Sequence, residues 1–545
     1  MRLSTEKIKK ATAVVLSVTT IFSMAACGGG KSTVKATDSN EIEQIVEANQ
    51  PESGEYDPAG AAGYVYFTLQ SYCLEGLIGY DAEGKIIPKS AESWEISEDL
   101  LTYTFHLRDG LKWSDGSALT SADFKNTMVR ALDPNRGSWY VDFLFVIKGA
   151  KAAFNGEGSM DDVGIECPDD KTIKITLEQP CSYFLDLCKL PTYMPSCSKY
   201  ATNEDADWSM SPETNLGNGP YHLVERKPGE SLTFEKNPYY YDASNVTVLK
   251  IVDRFMDDDQ AKSSAYQTGE VNIVQGAPSS IAESYEGKPD LIFREVPQTN
   301  YILFNIGMKP FDDVRVRQAF SLAVNRKDIA AVVGKSCEPS TTIVGKNYKS
   351  KIDGTKWSEL QGDLLSEDLA KAKELLKEAG YENGVGLPEL TYTYPAMSYE
   401  ADVAQVLQQE WKELGVTVKL EAMEYEVYVN ARRNGELMMA RAQWYADYND
   451  PTSWLAMFIE GNAQNDVKWT NEKYNQLMEE SDKELDDAKR QKLLQAAEKI
   501  LVTEETVVCP LFSNSNTDLI DPTLENYSFD VLSYSDWSHM TKKKN

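Results

Sequence analysis

The chain has 545 residues, with 85 acidic against 55 basic side chains and a net charge of −30. That balance excludes nucleic acid and a basic membrane-surface module, and its ordinary meaning is a well-solvated surface. The length exceeds what one hydrophobic core organises, so two or three lobes are expected, and 29 Tyr with 10 Trp suit a wet, ring-lined cleft.

The chain opens on a leader. Met1, Arg2, Lys7, Lys9 and Lys10 precede an uncharged, largely apolar run from Ala11 to Ala26. As a helix that run rises about 24 Å, short of the roughly 30 Å hydrocarbon core, so residues 1–26 read as a secretory signal peptide. Cys27, directly after Ala25 and Ala26, resembles the lipobox cysteine of bacterial lipoproteins, which implies a diacylated N-terminus. Gly28, Gly29 and Gly30 then begin a flexible tether over 27–40. Nothing later reaches 18 consecutive apolar residues.

Residues 101–107 and 171–177 alternate as half-buried strands. The period of apolar residues predicts a helix from Glu367 to Ala379, with Leu369, Ala372, Leu375, Leu376 and Ala379 on one stripe and Gly380 as its stop. A second helix is predicted from Glu400 to Leu414, ended by Gly415, and a strand over 416–420. Helix, glycine, strand is the rhythm of an α/β lobe. Asn471 to Thr503 reads as one or two charged helices in a solvated outer layer. Val507 to Phe512 is a short apolar run that suits a crossing between lobes.

Chemistry is sparse. His106, His222 and His539 are the only histidines, and no G-x-S-x-G, H-E-x-x-H or phosphate-loop motif occurs, so no catalytic residues are expected and the chain is read as a non-enzyme. Cys73, Cys167, Cys181, Cys188, Cys197, Cys337 and Cys509 cannot all pair. Free buried thiols are the default, with a disulfide among the middle four the alternative, and their spacing lacks the close pairs of a zinc site. No metal and no cofactor are expected.

Four ordered blocks are more specific. They are LEGLIGYDAEGKIIPKSAESWEISEDLLTYTFHLRDGLKWSDGSALTSADFKNTMVRALDP over 74–134, GNGPYHLVERKPGESLTFEKNPYY over 217–240, NYILFNIGMKPFDDVRVRQAFSLAVNR over 300–326, and ARAQWYADYNDPTSWL over 440–455. Together they resemble the dipeptide/oligopeptide class of solute-binding proteins of ABC importers, across essentially the whole mature chain. The resemblance implies an α/β fold of the large three-lobed periplasmic-binding type, closing about a hinge on a buried ligand. Projected here, lobe I takes 41–74, 206–297 and 512–545, lobe II 75–205, and lobe III 298–511. It also implies a monomer, anchored by lipid on the extracytoplasmic face of the cell membrane, that hands a short peptide to permease subunits. Oligosaccharide, metal chelate or haem are the alternative ligands.

A peptide offers an ammonium, a carboxylate and a row of amides, so a binder of many sequences holds those common parts. By the resemblance Asp447 receives the ammonium, while Asp450 reads as a turn residue before Pro451. Trp444 and Tyr445 present backbone and rings. Arg441, six residues before Asp447 and on its face of a regular strand, is similar to an arginine that meets a peptide's carboxylate. Glu400 falls where a relative carries histidine, and would repel that carboxylate. Gly63 and Tyr64, after the turn at Asp57 and Pro58, are expected to lend backbone. Tyr140, Tyr425, Arg432 and Asn305 correspond to cleft-lining places.

Overall fold

The structure is a computed structural model that describes residues 40–544, apart from 53, 54, 61–69, 205 and 398. The expectations for Cys27, the leader and tether, Gly63 and Tyr64 lie outside the described residues.

A small antiparallel sheet is built from four strands: β2 (Ala91–Ile96), β3 (Thr102–Leu107), β4 (Ile165–Asp169) and β5 (Thr172–Thr176), in the order β2-β3-β5-β4. Tyr103, Phe105 and Leu107 alternate inward on β3, and Ile173 and Ile175 on β5, which is the period-2 pattern read from sequence. Helix α1 (Ser121–Ala131) covers this sheet, its start fixed by a capping box between Thr120 and Asp123.

Three two-stranded ribbons apart, the remaining described strands form one 12-stranded sheet, which includes the short strand Cys337–Pro339. One flank runs through β1 (Ile45–Asn49), β6 (Tyr221–Lys227), β7 (Ser231–Lys236), β8 (Lys250–Phe255), β9 (Ile273–Val274) and β10 (Leu291–Glu295). The other contains β11 (Gln298–Phe304), β12 (Leu390–Pro395), β13 (Val418–Met423) and β14 (Met439–Tyr445). Strand β15 (Val508–Ile520) joins them. Its first part pairs with β11 and its last part with β9 and β10. Pro510 is tolerated there because the β11 register shifts at that point.

Helices α2 (Leu369–Glu378) and α3 (Glu400–Lys412) stand on the second flank and bury Ala372, Leu375, Leu376, Val403, Leu407 and Trp411. Removing a ring such as Trp411, which is fully buried, would cost about 3–5 kcal/mol. Gly415 ends the second helical segment at φ +79°, where a Cβ would meet the Asn383 backbone at 2.8 Å.

One difference from the sequence reading bears on function. Residues 472–499 form two helices, α5 (Glu472–Lys483) and α6 (Asp487–Lys499), but they are more than an outer layer. Leu477, Met478 and Leu494 are buried, and so are the charged Arg490 and Glu498. All seven cysteines among the described residues are free. Among those residues no helix is long and apolar enough to cross a membrane, and no cluster of three metal-ligating side chains occurs.

Candidate binding cleft

Strands β12, β13 and β14 run parallel, so their carboxyl ends, Pro395, Met423 and Tyr445, open on the same side. In α/β sheets ligands bind outside such ends. Strand β14 pairs along its full length with β11, but on its other side it meets β12 only at Met439 and Ala440. From Arg441 onward that edge has no strand partner among the described residues. A free edge running to Tyr445, with Asp447 just beyond it, is a template for an extended chain, whose main-chain groups it can match whatever the side chains.

Arg441, Gln443 and Tyr445 share one face of β14. Arg441 donates from Nη2 to Asn300 Oδ1 (3.0 Å) and Gln443 Oε1 (2.9 Å). Gln443 in turn donates to Gln298. Behind this row, the first turn of α3 brings Glu400 Oε1 to 2.6 Å from Arg441 Nε, with Glu400 3% exposed. Burial works against the charge on Arg441, and Glu400 overcomes it; burial also pushes the Glu400 carboxyl up, against the pull of Arg441. Tyr428 of α4 (Tyr425–Arg433) donates its hydroxyl to the Arg441 carbonyl.

Beyond the strand, the Asp447 amide donates to Ser453 Oγ (3.0 Å), which turns the side chain out of the strand line. Tyr140, carried by the small-sheet unit, donates its hydroxyl to Asp447 Oδ1 at 3.0 Å. No cation pairs with Asp447 among the described residues. Burial raises its carboxyl to about 6, opposed only by Tyr140. A cavity of about 310 Å³, walled by Glu75, Tyr80, Lys89, Tyr240 and Tyr534, reaches Asp447.

Asp450 has the opposite surroundings. Arg490 clasps it with two bonds of 2.7 and 2.8 Å, Thr452 donates backbone and hydroxyl to it, and Lys351 Nζ is 3.5 Å away. Burial would raise its carboxyl, but Arg490 and Lys351 hold it well below the usual range. Lys351 also reaches Asp186 at 2.5 Å, and Tyr183 stacks on Tyr448 at 5.5 Å, so this cluster ties residues 183–186 to 448–450.

Other expected residues fall into three kinds. Trp444 points to the opposite face of β14, among the apolar side chains packed around Trp454, with its indole N–H unpartnered among the described residues. Tyr445 and Tyr425 are exposed, at 47% and 56%. Arg432 pairs with Asp466 at 2.8 Å, and Asn305 is consumed by the backbone, donating to Gly435 and Leu437 and accepting from Gly307. The sequence reading passed over Gln443, Asn300, Gln298 and Tyr428. Alternation along 441–445 would have found the first; the others depend on partners more than ten residues away. Asp57 is fully buried and held by Arg130, Arg136 and Trp208.

Comparison with known proteins agrees with this geometry. Residues 85–466 match the family described as bacterial extracellular solute-binding proteins, family 5 Middle. The chain is 30% identical to the dipeptide-binding protein DppE of Bacillus subtilis over 519 residues, covering 93% of this chain and 95% of that one. It is 33% identical to the probable deoxycholate-binding periplasmic protein YgiS of Escherichia coli over 480 residues, 87% and 88% of the two chains. A crystal structure titled as a periplasmic oligopeptide-binding protein and oligopeptide ABC transporter (OppAIV) from Borrelia burgdorferi superimposes with a TM-score of 0.77 at 28% identity, over 92% of this chain and 100% of that one.

Proposed function

This chain belongs to the family 5 bacterial extracellular solute-binding proteins and has their periplasmic-binding fold, and from that premise we propose that it captures short peptides and delivers them to an ABC permease. The observation that carries the reading is Asp447, a carboxylate without a cation among the described residues, just past the end of a strand edge that has no partner strand among them from Arg441 onward. An ammonium supplies the missing charge, and the free edge of β14 takes the peptide's amides. Relatives named for dipeptides and oligopeptides support the same ligand class.

The lobes proposed are 41–74 with 206–297 and 512–545, then 75–205, and 298–511. Strands β11 and β15 are the hinge between the first and third, and the ligand lies where Tyr140 and Asp447 meet. Cys27 carries a lipid that holds the protein on the extracytoplasmic face of the membrane, where it acts as a monomer and turns nothing over. Release of a Cys27→Ala form into the medium is the expected check on the anchor.

The likeness to a probable deoxycholate-binding protein suggests a second reading, an apolar carboxylate. It puts the charge the wrong way round, because the uncompensated group of this site is itself an anion.

Isothermal titration with free and N-acetylated peptides on wild type and Asp447→Asn tests the proposal. Acetylation should cost the wild type several kcal/mol and the variant much less, a non-additivity that reports direct contact. Equal losses in both proteins would reduce Asp447 to a structural residue.

A further inference from the structure

The two arginines of the β14 wall are both neutralised from within the protein. Arg432 is closed by Asp466 at 2.8 Å. Arg441 is closed more completely, by the Glu400 carboxylate at 2.6 Å and by the side-chain oxygens of Asn300 and Gln443. Glu400 is 3% exposed and sits on the first turn of α3, where the helix N-terminus favours negative charge. It is therefore an ordered counter-ion of Arg441, not a surface group passing by.

A ligand carboxylate arriving at Arg441 would lie beside Glu400. It would have to tolerate a like charge at close range, or displace Glu400 and leave a buried carboxylate unpaired. Either route removes the gain that a free arginine would give. At the other end, Asp447 has no cation among the described residues. The wall formed by Asp447, Arg441, Glu400, Arg432 and Asp466 thus carries one net negative charge, which a ligand ammonium neutralises.

We propose that Glu400 makes the Arg441 end of the cleft indifferent to a carboxylate, so that peptides are held by the ammonium and a carboxyl end that is free, masked or carried on past Arg441 makes little difference to affinity. This deepens the peptide reading above and rests on it. Glu400 acts here as a specificity determinant through Arg441, and Arg441 keeps a positioning role, holding Gln443 and Asn300 in line along the strand.

The test uses the mature protein and alanine peptides of two to six residues, each as the free acid and as the C-terminal amide, measured by titration calorimetry. Wild type should bind acid and amide within threefold of each other at every length. Glu400→Gln frees Arg441, so it should favour the acid at least tenfold at the lengths whose carboxylate reaches that arginine. The double variant Glu400→Gln/Arg441→Gln removes both charges and should return to indifference, which shows that the acid preference of the single variant runs through Arg441; wild type against Arg441→Gln keeps the test decisive if Glu400→Gln does not fold. A wild type that favours the acid tenfold, with the preference lost in Arg441→Gln, overturns the proposal while leaving the peptide reading intact. Failure of every acid and every amide to bind overturns the peptide reading, and this inference with it.

Discussion

Asp447 and Asp450 are three residues apart, Asp450 fully buried and Asp447 half-buried beside the cavity, and desolvation has opposite outcomes for them. Asp450 is surrounded by Arg490, Lys351 and the donors of Thr452, and stays charged. Asp447 has one tyrosine hydroxyl and rises to about 6. A carboxylate whose needs are met inside the protein is part of the framework; a desolvated one beside a cavity, with no cation among the described residues, is a candidate for a ligand's charge. The pair also divides the cleft mechanically. Asp450 anchors the loop that presents Asp447, so the unsatisfied group is held in place by the satisfied one.

The largest effect expected from breaking this contrast is at Asp450. Asp450→Asn leaves Arg490 buried without its counter-charge and should cost about 3–5 kcal/mol of folding stability, read by urea denaturation at pH 7. The sign with pH follows from the lowered carboxyl. The stabilisation is present above the unfolded carboxylate range near 4, and is lost as pH falls through the lower folded value. Wild type and variant should therefore converge toward acid pH. A variant as stable as wild type at pH 7 would show that the clasp is not paired in solution.

Asp447 should respond in reverse. Its raised carboxyl means that its contribution is fully present below about 4 and lost as pH rises through about 6. Without ligand, Asp447→Asn should stabilise the protein at pH 7.5 by about 1 kcal/mol, after discounting for water in the adjoining cavity. With ligand the dependence appears in affinity, because an ammonium needs the ionised carboxylate. Peptide affinity should fall by up to about tenfold per pH unit below 6 and level off above it, while the variant is flat. A wild type flat from pH 5 to 8 would place the ammonium elsewhere.

How much of this was legible beforehand follows the range of the interactions. The α2 stripe and the β3 and β5 alternations rest on spacing within a dozen residues, and the structure has them within two residues at each end. Asp450 was readable as a turn residue through Pro451, and it does cap that turn through Thr452. Its pairing with Arg490, 40 residues away on α6, was not readable, since nothing in a charged helix marks which arginine turns inward. The same holds for Glu400 and Arg441. The sequence suggested that Glu400 would oppose a carboxylate near Arg441, while their direct pairing needed the packing of α3 on β12 and β13, beside β14. Asn305 shows the opposite failure, a polar residue at a cleft-lining place whose capacity is used up by local backbone.

The finest test is Tyr140. Its hydroxyl donates to Asp447, and its ring stacks on Phe143 with centroids 5.7 Å apart, so Tyr140→Phe keeps the ring and removes the donor. Losing one hydrogen bond to the charged form should raise Asp447 beyond 6 and weaken peptide binding near that pH by about 1 kcal/mol. The same hydroxyl also bridges the unit of the small sheet to the β14 loop, so its loss can act by loosening closure instead. The two roles separate with pH. If Tyr140 tunes Asp447, the deficit grows as pH falls from 8 to 5 and nearly vanishes at 8, where the carboxyl is ionised in both proteins. If it only bridges the units, the deficit is the same at every pH. Titration of one peptide at four pH values distinguishes these outcomes, and a constant deficit would leave desolvation alone to set the acidity of Asp447.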